Sequence, residues 1–267
     1  MPDNRNYIKY KKHLINLYNK YNKREFVHPD PLEFLYLYEK ALDREIVGLI
    51  ASSLAYGKVA QILKSVWSVL EPMGKSPHDF LLCQNRGTLI EFFGNFKHRF
   101  TTSPELVDFL LKIRESINEF GSLNKLFLTG YDGNIQSGLC FFTKRLTNNQ
   151  KNSLLPEPSK ASACKRLYLY LRWMVRADEV DPGGWEGIKP SQLIIPLDTH
   201  MYNICKTLGL TNRNQANIKT SIEITRAFID ICPEDPVKFD FALTRLGIRT
   251  DTDMNGFFRT CEIKGFC

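Results

Sequence analysis

The segment Ile194-Ile-Pro-Leu-Asp-Thr-His200 places Asp198 after a stretch that Pro196 keeps extended and just before a helical run ending at Leu208. A carboxylate at a helix N-terminus accepts backbone N–H bonds and stays ionised in the positive end of the dipole. Such an aspartate is either a simple helix cap or a fixed negative charge for chemistry. A second residue of interest is Lys165, 33 residues earlier, which opens the run Lys165-Arg-Leu-Tyr-Leu-Tyr-Leu-Arg172. Apolar surroundings and a neighbouring cation, here Arg166, disfavour a charged amine and leave it available as a nucleophile. The other reading is a lysine whose stem covers apolar surface while its ammonium reaches water. Lys160 competes for the nucleophile role from a looser segment. Arg172 and Arg176 follow Lys165 on one stripe of the helix, and cations on a buried helix need anions. Asp178, Glu179 and Asp181 can supply them, and so can a phosphate backbone.

The elements that must position these residues read as helices almost throughout. Apolar residues recur at helical period in Ile8 to Tyr21, Pro31 to Lys40, Ile46 to Leu54 and Val59 to Leu70. Ser103-Pro104-Glu105 starts a further helix that ends at Phe120, with Gly121 as its cap. Ala161 to Arg176 is apolar nearly all round and is therefore expected to be buried. Asp198 to Leu208, Gln215 to Ile231 and Pro236 to Leu246 complete the set, with Gly209 and Gly247 expected just past helix ends. Thr129 to Ser159 has the weakest pattern, with a short helix at Leu139 to Leu146, and Asp181 to Trp185 is a turn. The expected fold class is all-α, with about ten helices.

Composition removes several function classes. The 267 residues are 43% hydrophobic and 24% charged, which is ordinary globular usage and excludes wholesale disorder. No apolar run is long enough for a membrane span, and no apolar stretch follows Met1-Pro2-Asp3-Asn4-Arg5 to make a secretory signal, so a cytoplasmic location is expected. Seven cysteines without a CxxC pair fit neither a disulfide framework nor a zinc site; no metal and no cofactor are expected. The net charge is +7, and residues 1–24 alone carry +6 of it. A basic N-terminal helix suits phosphate contacts, and equally a solvated face.

The string Pro196-Leu-Asp-Thr-His200, followed by a helix ending Leu208-Gly-Leu210, resembles the catalytic-aspartate segment of DNA glycosylases of the helix-hairpin-helix superfamily. Asp235-Pro-Val-Lys-Phe-Asp-Phe-Ala-Leu-Thr-Arg-Leu-Gly-Ile248 is similar to the penultimate helix of the 8-oxoguanine branch. Ile50 to Ile62 is similar to the helix, turn and helix that present a gap-filling wedge. The resemblance spans most of residues 41–250 and is specific only around 194–209. One departure is plain: Asp178 to Trp185 holds no Leu-Pro-Gly-Val-Gly hairpin. The archaeal 8-oxoguanine glycosylases, which replace that hairpin with a longer element, are the closer match in lysine-to-aspartate spacing. The chain as a whole also resembles an uncharacterised bacterial family of this length.

The resemblance implies two helical lobes with a DNA-binding cleft between them. Residues 41–195 would form a central helical domain, and residues 1–40 with 196–267 a second, discontinuous one. It implies a base-excision-repair glycosylase, with AP-lyase activity, that removes an oxidised purine from double-stranded DNA by base flipping. Lys165 would attack C1′ while Asp198 stabilises the positive charge that develops on the sugar. Tyr56 and Gly57 fall at the wedge, unless they are a core tyrosine and a turn glycine. Trp185 and Trp173 are candidates to stack on an extruded base, or are core. His200 is within reach of phosphate, or is a first-turn histidine, and Arg172 is a candidate DNA contact. His98-Arg99 carries no assignable role. A non-catalytic nucleic-acid-binding protein with the same fold is the alternative, and no obligate protein partner is implied.

Overall fold

A computed structural model describes residues 7–249 and 252–263. Arg5 and Cys267 lie outside the described residues, as does the rest of 1–6, where a signal would start. The fold is all-α. After a 3-10 turn at Tyr7–Tyr10 come α1 (Lys11–Tyr21), α2 (Ala41–Ser53), α3 (Val59–Leu70), α4 (Pro77–Cys83) and α5 (Arg86–Phe93). A two-residue hairpin, β1 (Lys97–His98) and β2 (Thr101–Thr102), precedes α6 (Ser103–Phe120), α7 (Leu123–Thr129) and α8 (Ile135–Thr147). The chain then continues through α9 (Lys165–Val175), α10 (Thr199–Thr207), α11 (Ile218–Ile231), α12 (Asp240–Ile248) and α13 (Met254–Thr260). No described helix is long and apolar enough to cross a membrane.

Helix starts follow capping chemistry. Asn134, Asn217 and Asp198 each accept a backbone N–H in the first turn of α8, α11 and α10, and Thr102 with Glu105 closes a reciprocal box on α6. Pro31 to Leu37 departs from the expected α-helix and winds as a 3-10 helix after its Asp30 cap. Leu32, Leu35 and Tyr38 are all buried, and their three-residue spacing lines up in a 3-10 helix but drifts round an α-helix. The expected start of α9 at Ala161 shifts to Lys165, because Cys164 adopts a left-handed conformation at φ 45°. Gly247 lies inside α12 rather than beyond its end, and a Cβ there would meet the His200 side chain at 3.1 Å.

Helix α9 is the central element. Tyr168, Tyr170, Leu171, Trp173 and Met174 are completely or almost completely buried, and α2 packs along it. The loop after α9 folds back on the helix end, with Gly183 N donating to Trp173 O and Trp185 N to Met174 O. Helix α1 packs on α12, and Tyr10 Oη donates to Leu208 O at 3.0 Å.

Between α7 and α8 the backbones approach through Gly138, where an added Cβ would lie 2.5 Å from Cζ of the buried Phe127. Phe127 is enclosed and has nowhere to move, so overpacking outweighs the better helix propensity of alanine. Gly138→Ala is expected to cost about 1–2 kcal/mol in urea unfolding, and an unchanged midpoint would contradict this packing.

Candidate active site

Lys165 and Asp198 meet across the start of two helices. The Lys165 Nζ lies 3.0 Å from Asp198 Oδ2, with the lysine side chain 36% exposed and the aspartate 18%. Asp198 is also the α10 cap, its Oδ1 accepting from Met201 N at 2.8 Å. Asp198 is therefore both a helix cap and the partner of a cation, with one oxygen for the helix and the other for the lysine. Burial on its own would raise the Asp198 carboxyl. The Lys165 ammonium and the Met201 N–H outweigh that and hold it below the usual carboxylate range.

The chain around Lys165 explains its placement. The left-handed Cys164 turns the backbone into α9, and Ile218 N donates to Ala161 O, tying the approach to the start of α11. Arg166 is drawn the other way, donating to Ser53 O and Ser153 O. The charge facing Lys165 is thus the Asp198 carboxylate and not, as expected, its neighbouring cation. Lys160 is exposed and paired with Glu157 at 2.8 Å, outside this contact.

Beneath the pair lies a small pocket with about 50 Å³ of free space, bordered by Lys165, Asp198, Asp240, Arg172 and Arg245. Asp240, with no role assigned from sequence, is 2% exposed and paired with Arg172, while its Oδ1 has no hydrogen-bond partner among the described residues. Burial pushes the Asp240 carboxyl up to about 6 against the pull of Arg172, and the nearby Asp198 charge adds to the rise. The only sequence signal for it is its place in the 235–248 segment.

Arg172 corrects an expectation. It is 4% exposed and held by Asp181 and Asp240, so it is not free to contact DNA. Arg176 is likewise consumed by Asp178, Asp181 and Asp235, and both arginines are held more firmly protonated than usual. Burial of the guanidinium groups opposes that, but the surrounding carboxylates win. The internal-carboxylate alternative holds for Asp178 and Asp181; Glu179 takes no part and is exposed.

Trp185 is a second correction. It is 6% exposed, its ring packs against Phe127, Phe142 and Tyr170, and Nε1 donates to Glu45 Oε2 at 3.0 Å. An indole so enclosed cannot stack on an extruded base. Trp173 is buried as well. Tyr56 is half-buried, its hydroxyl 3.0 Å from His98 O and 2.6 Å from Thr101 Oγ1, so the tyrosine is tied down rather than projecting as a wedge. Gly57 is a turn glycine at φ +102°, packed under the Arg99 side chain. His200 is exposed in the first turn of α10, next to Asp198.

Glu45, missed from sequence, anchors the framework. Its carboxylate accepts from Leu123 N, Asn124 N and Trp185 Nε1, yet burial pushes it up to about 7. A carboxyl raised on folding binds its proton more tightly in the native state, so its contribution to stability falls as pH rises from about 4.5 to 7. Glu45→Gln is expected to remove that component: the wild-type minus variant difference in urea-unfolding free energy becomes less favourable across this window. A flat difference would contradict it.

These features define an all-α protein with a lysine–aspartate ion pair at two abutting helix starts. The chain belongs to the family described as "Protein of unknown function (DUF2400)", whose model matches residues 30–249. No curated protein and no solved structure matches it.

Proposed function

We propose that this protein is a DNA glycosylase with lyase activity, acting on an oxidised purine such as 8-oxoguanine in double-stranded DNA. The observation that carries the reading is the 3.0 Å contact between Lys165 and Asp198, two residues 33 positions apart. In this reaction the C1′–N bond breaks, the electron pair and a proton go to the departing base, and positive charge builds on the sugar. Asp198, kept ionised, stabilises that charge. Lys165 gives that proton to the departing base, and its amine bonds to C1′. A second amine proton passes to O4′ as the C1′–O4′ bond opens to the Schiff base. C2′ then loses a proton, and the 3′ phosphate leaves with the C3′–O electron pair. The base would be flipped into a cleft between the two helical lobes of residues 41–195 and of 1–40 with 196–267. His200, exposed beside Asp198, would contact a phosphate.

One observation favours a second reading, a nucleic-acid-binding protein without catalysis. A closed apolar cavity of about 150 Å³ holds benzene, whereas the charged pocket under Lys165 has about 50 Å³ of free space, less than a purine fills. One experiment separates the two. The protein is incubated with a duplex holding a single 8-oxoguanine, borohydride is added, and a covalent protein–DNA adduct is sought. An adduct that disappears in Lys165→Gln supports the glycosylase. Absence of adduct and of base release across a panel of oxidised purines overturns it and leaves the binding protein.

A further inference from the structure

The tip of the hairpin between β1 and β2 carries an unusual pair of residues. Phe100 is 68% exposed, the most exposed of the large apolar side chains among the described residues. Arg99, before it, is held in the left-handed region at φ 54°. A phenyl ring left so exposed on a tight turn gains little from burial. Its support is rigid all the same. Phe100 stacks on Tyr56 with ring centres 5.7 Å apart and planes within 4°. Tyr56 in turn is bound to His98 O and Thr101 Oγ1, and the buried His98 is held by Ser65 Oγ and Tyr56 O.

The surroundings are cationic. Lys58, Lys97 and Arg99 are exposed around this tip, the Arg99 guanidinium lying 5.2 Å from the Phe100 ring centre, and no carboxylate pairs with them among the described residues. Arg166 covers the Tyr56 ring at 4.9 Å and is the next residue after Lys165. Through the Arg166 side chain the aromatic tip is tied to the first turn of α9.

We propose that Phe100, backed by Tyr56, is a stacking platform for an unpaired nucleobase of a DNA duplex, with Lys58, Lys97 and Arg99 on the adjoining phosphates. A π-face attracts any base irrespective of sequence, and unpaired cations attract the backbone. This inference rests on the nucleic-acid part of the reading above and not on the lysine chemistry.

The test uses a duplex with 2-aminopurine opposite a tetrahydrofuran abasic analogue, titrated with wild type, Phe100→Ala and Phe100→Trp, with thermal unfolding as a check on folding. Binding of the wild type is expected to quench 2-aminopurine by stacking. Phe100→Ala is expected to lose that quenching and to bind roughly 5- to 100-fold more weakly, while Phe100→Trp keeps both. Phe100 is too exposed for the alanine variant to unfold. Equal affinity and quenching in wild type and Phe100→Ala would overturn the platform while leaving DNA binding intact. Failure of the wild type to bind any duplex would overturn both. A platform that works with neither a borohydride adduct nor base release would sink the glycosylase reading alone.

Discussion

Asp198→Asn is expected to slow base release roughly 10²–10³-fold without weakening duplex binding. The substitution isolates the chemistry because asparagine caps a helix as well as aspartate does. Its side-chain oxygen can still accept from Met201 N, so α10 should start where it does now. What disappears is the negative charge 3.0 Å from Lys165 Nζ. Lys165 is more than a third exposed, so water takes over part of its solvation and the fold should change by no more than about 1 kcal/mol. Single-turnover release of 8-oxoguanine, measured beside circular dichroism and duplex affinity, makes the comparison. A loss under roughly tenfold would mean that Asp198 is a cap and no more, and the charge-stabilising role would have to be abandoned.

The second large effect concerns stability. Arg172→Met is expected to destabilise the protein by about 3–5 kcal/mol. Asp240 and Asp181 are 2% and 0% exposed, and Arg172 bridges them. Asp181 keeps Arg176, but among the described residues Asp240 loses its cation. Removing one partner of a buried pair leaves an uncompensated charge, which costs far more than the pair contributes when intact. The pH dependence has a definite sign. Asp240 already titrates near 6, and without Arg172 it moves higher. Protonation then relieves the unpaired charge, so the loss should be smaller at pH 5 than at pH 8. Chemical unfolding at both values tests this; a loss under about 1 kcal/mol at pH 8 would show that the carboxylate was never a burden.

Much of the architecture was legible because helical periodicity and caps are local. The runs of α1, α3, α6, α10 and α11 and the Asp198 cap follow from residues within one or two turns of each other. The short helices α4, α5 and α7 escaped for the same reason: seven or eight residues offer too few turns for a period to show. The Pro31 segment misled because a proline and an acidic cap start 3-10 and α-helices alike. At the site, Lys165 and Asp198 were named from a motif and a spacing, and the structure brings them into contact. Asp240 and Glu45 were not named. A buried acid on a helix reads as an ordinary surface residue until the chain is folded around it. Arg172 and Trp185 suit DNA by type but are consumed internally: Arg172 by Asp181, nine residues on and within reach of sequence reasoning, and by Asp240, 68 residues away, and Trp185 by Glu45, 140 residues away. Arg99 and Phe100 carried no signal, since two residues on a turn have no periodicity to violate.

The pocket beneath Lys165 is bordered on one side by Asp30, whose carboxylate meets Arg245 at 2.8 Å across 215 residues of chain. That contact closes a loop of 215 residues, and a ribosome must translate past α12 before it can form. A nascent chain therefore carries Lys165 for some time without the wall that completes its surroundings, and a product truncated before α12 never acquires it. Synthesis from N- to C-terminus acts here as a delay, keeping the lysine apart from a finished site until α12 has been made.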